Sequence, residues 1–201
     1  GPCIRYVNVN GGGGNGLSWA EAYQSIQIAI NSAAAHVSAF GGTCEVWVAN
    51  GNYVPTAAEP IVMADAVDLY GGFGGWETLR EERSWESRAT IIDGNWYDRP
   101  HLLLGSNATV DGFVFTHGLS NTGTGGIAIT GTSTRVANCL FIDNSGKIGG
   151  AIFMLGGMPE IESCIFVQNQ AEEGGAILAG TDAHPTIRDC LFDNNAADLS
   201  G

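Results

Sequence analysis

A repeat of about 25 residues fills the second half of this chain and restricts its fold more than any other feature. Cysteine, phenylalanine and asparagine each recur at intervals of 25 and 26 residues, as Cys139/Cys164/Cys190, Phe141/Phe166/Phe192 and Asn144/Asn169/Asn195. The segment Gly-Gly-Ala-Ile also recurs, at 149–152 and 174–177. A short fixed period predicts stacked units, none of which can bury a core alone.

Each repeat consists of short apolar runs separated by Gly, Asn, Ser and Pro. The runs suit short strands, whereas a helix needs roughly 10–12 residues. Three such strands per repeat match one coil of a parallel β-helix, in which equivalent residues stack at about 4.8 Å. We therefore predict an all-β solenoid whose Cys and Phe columns point inward and whose Asn column bonds across a turn. A third inward column is expected at Ile91 or Ile92, Val110, Val136, Ile161 and Ile187.

The first part of the chain differs from the repeat. Apolar residues at helical spacing predict an amphipathic helix over 18–38, and Ser18 with Glu21 matches a capping box at its start. An open β-helix end exposes its core and its backbone edge. We expect this helix to cap the N-terminal end, with packing on the side of the coils as the alternative.

The predicted layout is one β-helix domain over 1–201. It comprises a cap region over 3–44, irregular first coils over 45–108 with a polar outer insertion over 74–89, and regular coils over 109–201. The chain stops where the next Gly-Gly would begin. We therefore expect a fragment of a longer repeat protein, or a last coil that docks against further coils or a second chain.

The net charge of −13 makes nucleic acid an unsuitable partner, because phosphate binding needs clustered Lys and Arg. No stretch approaches the apolar length that spans a membrane. Cys3 and Cys44 each precede a strand at the capped end and are expected to form one disulfide, with the other three cysteines as buried thiols. Adjacent rungs are close enough for a bridge, but three cysteines leave one unpaired. Zinc is disfavoured because Cys-x-x-Cys is missing.

The phased motifs resemble those of chlamydial polymorphic outer-membrane proteins and related secreted bacterial β-helix proteins. The motifs are Phe-x-x-Asn at 141–144, 166–169 and 192–195, with Gly-Gly-Ala-Ile at 149–152 and 174–177. The first half is similar to the N-terminal region that often accompanies such repeats. The resemblance implies a right-handed β-helix, a secreted, cell-surface or outer-membrane location, and a role in adhesion or recognition. It supplies no catalytic residues.

Parallel β-helices also include polysaccharide lyases and hydrolases, so an enzyme is the second hypothesis. Asp93, Asp111 and Arg135 fall in roughly successive coils and are the candidate catalytic residues, with calcium as a possible cofactor. Asp93-Gly94 and Asp111-Gly112 are also ordinary turn formers. Motifs typical of polygalacturonases, serine hydrolases and phosphate loops do not occur in the sequence.

Two surface features favour binding over catalysis. The loop with Trp96, Tyr97, Asp98, Arg99 and His101 offers aromatic faces and polar groups that suit a sugar ring, unless the aromatic rings tuck over the core. Strand alternation points a second set of aliphatic side chains outward as a contact patch, namely Val114, Leu140, Ile165 and Leu191. We thus expect non-catalytic adhesion to a glycan or protein, with a purely structural spacer as the third hypothesis.

Overall fold

The computed structural model describes residues 2–200, which form a parallel β-solenoid with one α-helix near its start. The cap region and first coils contain β1 (Cys3–Val7), α1 (Ile26–Phe40), β2 (Cys44–Ala49), β3 (Gly51–Tyr53), β4 (Ile61–Val62), β5 (Val67–Phe73), a 3-10 turn (Arg80–Glu82), β6 (Thr90–Asp93) and β7 (Leu102–Leu104). The regular coils contain β8 (Thr109–Asp111), β9 (Val114–Thr116), β10 (Leu119–Ser120), β11 (Ile127–Ile129), β12 (Arg135–Ala137), β13 (Leu140–Ile142), β14 (Ser145–Ile148), β15 (Ile152–Gly157), β16 (Glu160–Glu162), β17 (Ile165–Val167), β18 (Gln170–Glu173), β19 (Ile177–Ala183), β20 (Thr186–Arg188), β21 (Leu191–Asp193) and β22 (Ala196–Ser200).

The strands stack into four parallel sheets that run along the solenoid. Sheet A has the order β1-β2-β5-β8-β12-β16-β20, and sheet B has the order β3-β6-β9-β13-β17-β21. Sheet C has the order β4-β7-β11-β15-β19, and sheet D has the order β10-β14-β18-β22. A full regular coil passes through sheets A, B, D and C before it returns to A. The predicted parallel β-helix is confirmed.

The inward columns form the core of the regular coils. The rings of Phe115, Phe141, Phe166 and Phe192 stack face to face, with centroids 5.0, 5.0 and 4.8 Å apart. Phe113, Cys139 and Cys164 are buried in the neighbouring column, and Cys190 is half-buried at its end. One member of the predicted third column is wrong, because neither Ile91 nor Ile92 belongs to it. Leu69 precedes Val110 in register, whereas Ile92 pairs with Phe115 in sheet B.

The asparagine column forms the predicted hydrogen-bonded ladder. Asn144 donates through Nδ2 to Oδ1 of Asn169 at 3.0 Å, and Asn169 donates likewise to Asn195 at 2.9 Å. Each Nδ2 also donates to the backbone carbonyl of a phenylalanine in the preceding coil, namely Phe115, Phe141 and Phe166. The buried amide groups of this turn are therefore satisfied by one another and by the backbone.

Left-handed backbone marks both corners of sheet B in the regular coils. Residues in this conformation have φ of 51–55°. They lie at the corner before sheet B, as Asn138, Ser163 and Asp189, and at the corner after it, as His117, Asp143, Gln168 and Asn194. Most of these are Asn, Asp or another small polar residue, which tolerate that conformation best. The short polar residues of the repeat therefore turn the chain at fixed positions.

The predicted helix start at Ser18 is wrong. Helix α1 begins after its N-cap Ser25, whose hydroxyl accepts a hydrogen bond from the Ile28 amide. Ser18 does accept from the Glu21 amide, but only within an isolated turn. The segment over 16–23 does not form a helix because its backbone makes hydrogen bonds to the backbone of Tyr6 and Asn8.

The helix still caps the solenoid, as predicted. Ile26, Ala29, Ile30 and Ala33 are buried on α1 and pack into the main core with β1, β2 and β4. The chain passes from β1 to β2 of sheet A through α1. In the next coil it passes from β2 to β5 of sheet A through strands of sheets B and C, so the helix takes the place of those strands. Among residues 2–200, no helix combines the length and apolar character needed to cross a membrane.

The polar insertion lies on the outer face of sheet A, as expected. Glu77 is buried there and accepts hydrogen bonds from the amides of Gly74, Gly75 and Trp76, and it pairs with Arg88 at 3.0 Å. Beneath the insertion lies a second apolar cluster that contains Trp47, Tyr70 and Phe73. The guanidinium groups of Arg80 and Arg83 lie 4.6 and 5.2 Å from the Tyr70 ring centroid.

Candidate binding surface on sheet B

The three candidate catalytic residues do not meet at one site. Asp111 and Arg135 lie 3.3 Å apart at the outer side of sheet A. Asp93 ends β6 in sheet B, where it contacts His117 instead. Asp111 is buried, and its two oxygens accept from Arg83 at 2.8 Å, from Asn138 at 3.0 Å and from Arg135. This carboxylate is occupied in holding the insertion and the neighbouring coil.

Arg135 continues this network along sheet A. It pairs with Glu162 at 2.8 Å, and Glu162 pairs with Arg188 at 3.0 Å. The hydrogen bond from Arg135 is the main cause that lowers the pKa of Glu162. The network links four successive coils through alternating charges, which is a structural arrangement.

The predicted sugar-binding loop is divided between surface and interior. His101 is fully buried, so its expected contact with a ligand is wrong. Its Nε2 must carry the proton, because it faces the Thr116 carbonyl at 2.7 Å, and its Nδ1 has no partner among the described residues. Burial lowers the pKa of His101 to about 4. The imidazole is therefore neutral at physiological pH.

Arg99 is also buried and is committed elsewhere. Its guanidinium donates to the carbonyls of Thr56 and Pro100. Asp98 is exposed, but its carboxylate accepts from the amide and the side chain of Asn121. Tyr97 is half-buried, and the Arg99 guanidinium lies over it, 5.5 Å from the centroid of its ring.

Trp96 is the exposed aromatic group of this loop, with 52% of its surface accessible. Its ring packs on the imidazole of His117 with a centroid distance of 5.1 Å. His117 in turn contacts Asp93 through Nδ1 at 3.1 Å. His117 thus joins Asp93 of the predicted catalytic set to Trp96 of the predicted sugar-binding set, a contact that the sequence did not reveal because His117 belongs to the next coil.

The predicted outward aliphatic column lies on the outer face of sheet B. Val114, Leu140, Ile165 and Leu191 stack in register on four successive strands. The accessible fraction rises along the column, to 41% at Ile165 and 57% at Leu191. Strands β9, β13 and β17 each bury the central phenylalanine and turn the residues on either side outward.

Three members of this column, Val114, Leu140 and Ile165, form the floor of a groove of about 600 Å³. The wall is the insertion, which contributes Trp85, Glu86 and Ala89, and the rim includes Asn138 and Ser163. Arg83, anchored on Asp111, stacks on the Trp85 ring at 4.7 Å. The sequence did not reveal Trp85 as a wall, because nothing in it shows how the insertion folds back.

The outer face of sheet B is broader than the predicted column. Ile142 and Val167, two residues after Leu140 and Ile165, are half-buried and pair in register beside them. We call this set the sheet B face: Val114, Leu140, Ile142, Ile165, Val167 and Leu191. Trp85 borders one edge of this face, and Trp96 lies on His117 at the opposite edge.

Charges around the sheet B face are acidic. Glu86 is the charged residue that lines the groove. Asp93, Asp143 and Asp193 lie along the opposite edge, at or just after the ends of β6, β13 and β21. Arg83, which stacks on Trp85, has its side chain nearly buried on Asp111. Within the described part of the chain, no three His, Cys, Asp or Glu side chains are grouped to hold a metal ion.

A second, smaller cavity of about 350 Å³ lies between the start of α1 and the loop after β3. Its walls are largely apolar and include Val9, Ile26 and Tyr53. The Tyr53 hydroxyl donates to the Ala49 carbonyl and accepts from the Val9 amide, and burial raises its pKa to about 12. Its hydrogen-bonding capacity is used internally.

A family model described as "Right handed beta helix region" matches residues 66–198, which is about two thirds of the chain. Curated proteins and solved structures gave no match.

Proposed function

The chain belongs to the right-handed β-helix family, and we propose that it is a non-catalytic recognition module that binds a protein partner on the sheet B face. The observation that carries this proposal is the contiguous aliphatic column on four successive coils, three members of which form the floor of the groove walled by Trp85. Contiguous exposed apolar surface is costly in water and usually marks an interaction site. Stacked coils hold these side chains on a rigid support, which lowers the entropic cost of binding.

The aliphatic surface of the sheet B face favours a protein partner over a glycan. Sugar rings stack on aromatic faces and bond through hydroxyls, whereas Leu140, Ile142, Ile165 and Val167 offer only aliphatic surface. The acidic edges favour a partner that has an apolar centre flanked by Lys or Arg, because complementary charges steer association. The same acidic edges oppose pairing of this face with a second copy of itself.

A location outside the cytoplasm is part of the proposal. It is supported by the disulfide between Cys3 and Cys44, since such bonds persist mainly in oxidising compartments. The resemblance to chlamydial polymorphic outer-membrane proteins supports a surface location in the same way. The commitment of both Asp111 oxygens to Arg83, Arg135 and Asn138 supports a non-catalytic role.

The test uses two amphipathic model peptides with the same leucine pattern, one flanked by lysines and one by glutamates. We expect the lysine peptide to bind more tightly in fluorescence anisotropy. Leu140→Thr with Ile165→Thr should weaken it at least about tenfold, which is roughly 1.4 kcal/mol. Leu155→Thr, an exposed leucine on sheet C, is the matched control and should leave binding unchanged.

Equal weakening by the Leu155 control, or no binding of either peptide, would contradict recognition by the sheet B face. If the two peptides bound equally and both lost binding in the double variant, recognition by the apolar surface would stand. The inference that acidic edges select a basic partner would then be wrong. Loss of the far-UV circular dichroism signal in the double variant would mean that these side chains are needed for folding.

Glycan binding at Trp96 is the second candidate function, favoured by its exposed ring on His117. A panel of plant, algal and host polysaccharides, offered with and without calcium, tests it. Retention that disappears in Trp96→Ala would support this site. Cleavage of any member would instead support an enzyme, and a dependence on calcium would identify the ion as a cofactor.

A further inference from the structure

Three cysteines occupy one inward column of the regular coils. Cys139, Cys164 and Cys190 each directly precede residues that pair in register, at Leu140, Ile165 and Leu191. Parallel neighbours in such a stack lie about 4.8 Å apart at Cα. Disulfides form over Cα separations of about 4.4–6.8 Å, so each adjacent pair meets the distance requirement.

The N-terminal end of the same solenoid holds a disulfide with this geometry. Cys3 and Cys44 are in-register neighbours on β1 and β2, with Cα atoms 4.6 Å apart. Both contact the main core, as Cys164 and Cys190 do. An inward bridge between adjacent coils is therefore compatible with this fold.

We propose that Cys164 and Cys190 form a second inter-coil disulfide and that Cys139 remains a free thiol. Cys190 is half-buried and is the member of the column that a small oxidant reaches first. Cys139 is only 2% exposed, and its Sγ lies 3.1 Å from the Ala137 carbonyl. This pairing uses the most accessible thiol of the column and leaves the unpaired thiol buried. It is independent of the function proposed for the sheet B face.

The reaction is a thiol–disulfide exchange with a small-molecule disulfide such as oxidised glutathione. The Cys190 sulfur attacks it and releases one glutathione thiol, and the Cys164 sulfur then displaces the second. Two thiols lose two electrons and two protons, which reduce one glutathione disulfide to two thiols. Both sulfurs now contact the carbonyl two residues earlier, at Glu162 and Arg188, so bond formation requires rotation of the side chains.

The folded chain resists this exchange. The hydrogen bond with Cys139, together with burial, raises the pKa of the Cys164 thiol, and burial raises the pKa of Cys190. Only the thiolate attacks a disulfide. We therefore expect the exchange to be slow in the folded chain and to proceed while the last coil, which holds the half-buried Cys190, is not yet packed.

Trypsin separates the three cysteines, because cleavage after Arg135, Lys147 and Arg188 yields peptides 136–147, 148–188 and 189–201. The full chain is refolded from the reduced state in glutathione redox buffer at about pH 8, where thiolate is available. It is then alkylated, digested without reduction and analysed by mass spectrometry. We expect 148–188 linked to 189–201, and 136–147 alkylated.

Two variants sharpen the result. Cys139→Ser should retain the bridge. Cys164→Ser should leave Cys139 and Cys190 both alkylated, because two rungs separate them by about 10 Å, beyond disulfide reach. The proposal is overturned by linkage of 136–147 to 148–188, by alkylation of all three peptides after oxidative refolding, or by a Cys139–Cys190 bond in Cys164→Ser.

Discussion

Replacing Asn169 by alanine tests whether the asparagine ladder stabilises the solenoid. The Asn169 side chain makes four hydrogen bonds while fully buried. It accepts from the amide and Nδ2 of Asn144 and donates to the Phe141 carbonyl and to Oδ1 of Asn195. At a net value of about 1 kcal/mol per bond, Asn169→Ala should lower the free energy of unfolding by about 4 kcal/mol. That is a large part of the roughly 5–15 kcal/mol of an ordinary domain.

The ladder also predicts an order among its members. The side chain of Asn195 makes three of these bonds and is only half-buried at the last coil, so Asn195→Ala should cost less than Asn169→Ala. Gln170→Ala is the matched control, because Gln170 is exposed on the adjacent position of β18. Gln170→Ala should change the free energy of unfolding by no more than about 0.5 kcal/mol.

Urea unfolding is followed by two signals that report different regions. All five tryptophans, at 19, 47, 76, 85 and 96, precede the regular coils, so fluorescence reports the cap and first coils. Circular dichroism reports the whole solenoid, and coincident curves would justify a two-state treatment. If Asn169→Ala cost no more than Gln170→Ala in both signals, stabilisation by the ladder would be refuted.

Three further predictions concern buried charge and packing. His101 has a pKa of about 4 when folded against about 6.5 when unfolded, so the unfolded chain binds more protons between these values. Stability should therefore fall as pH drops through this window, by up to about 3 kcal/mol, and urea titrations should show a weaker pH dependence in His101→Gln. Asp111→Asn leaves Arg83 buried without its carboxylate and should cost about 3–5 kcal/mol in urea unfolding, with a changed Trp85 emission. Phe166→Ala should cost about 3–5 kcal/mol, and Phe192→Ala clearly less because Phe192 is 48% exposed; equal losses would contradict the stacking account.

Much of the regular solenoid was predictable, because each coil repeats the same environment. A residue such as Phe141 has a counterpart above and below it, so its period reports its register directly. Strand alternation then fixed the outward direction of Leu140 and Ile165. The same logic correctly assigned the amide ladder through Asn144 and Asn169.

The sequence was less informative where the chain leaves the repeat. The segment around Ser18 has helical spacing, but backbone bonds to β1 outweigh that preference. His101 appears polar in sequence, yet the coil buries it against the Thr116 carbonyl. Asp93 and Asp111 both precede glycine, but they end strands of different sheets. Tertiary contacts that no local pattern encodes decided all three.

The arrangement at the first coil gives the solenoid a direction. Helix α1 covers the core there, and the segment over 16–23 occupies backbone groups of Tyr6 in β1 and of Asn8 just after it. A strand from another molecule therefore finds few free partners at this end, which guards against edge-to-edge aggregation. Gene duplication can add coils of about 25 residues beyond the cap without disturbing it. Length can thus evolve in whole coils while the starting end stays unchanged.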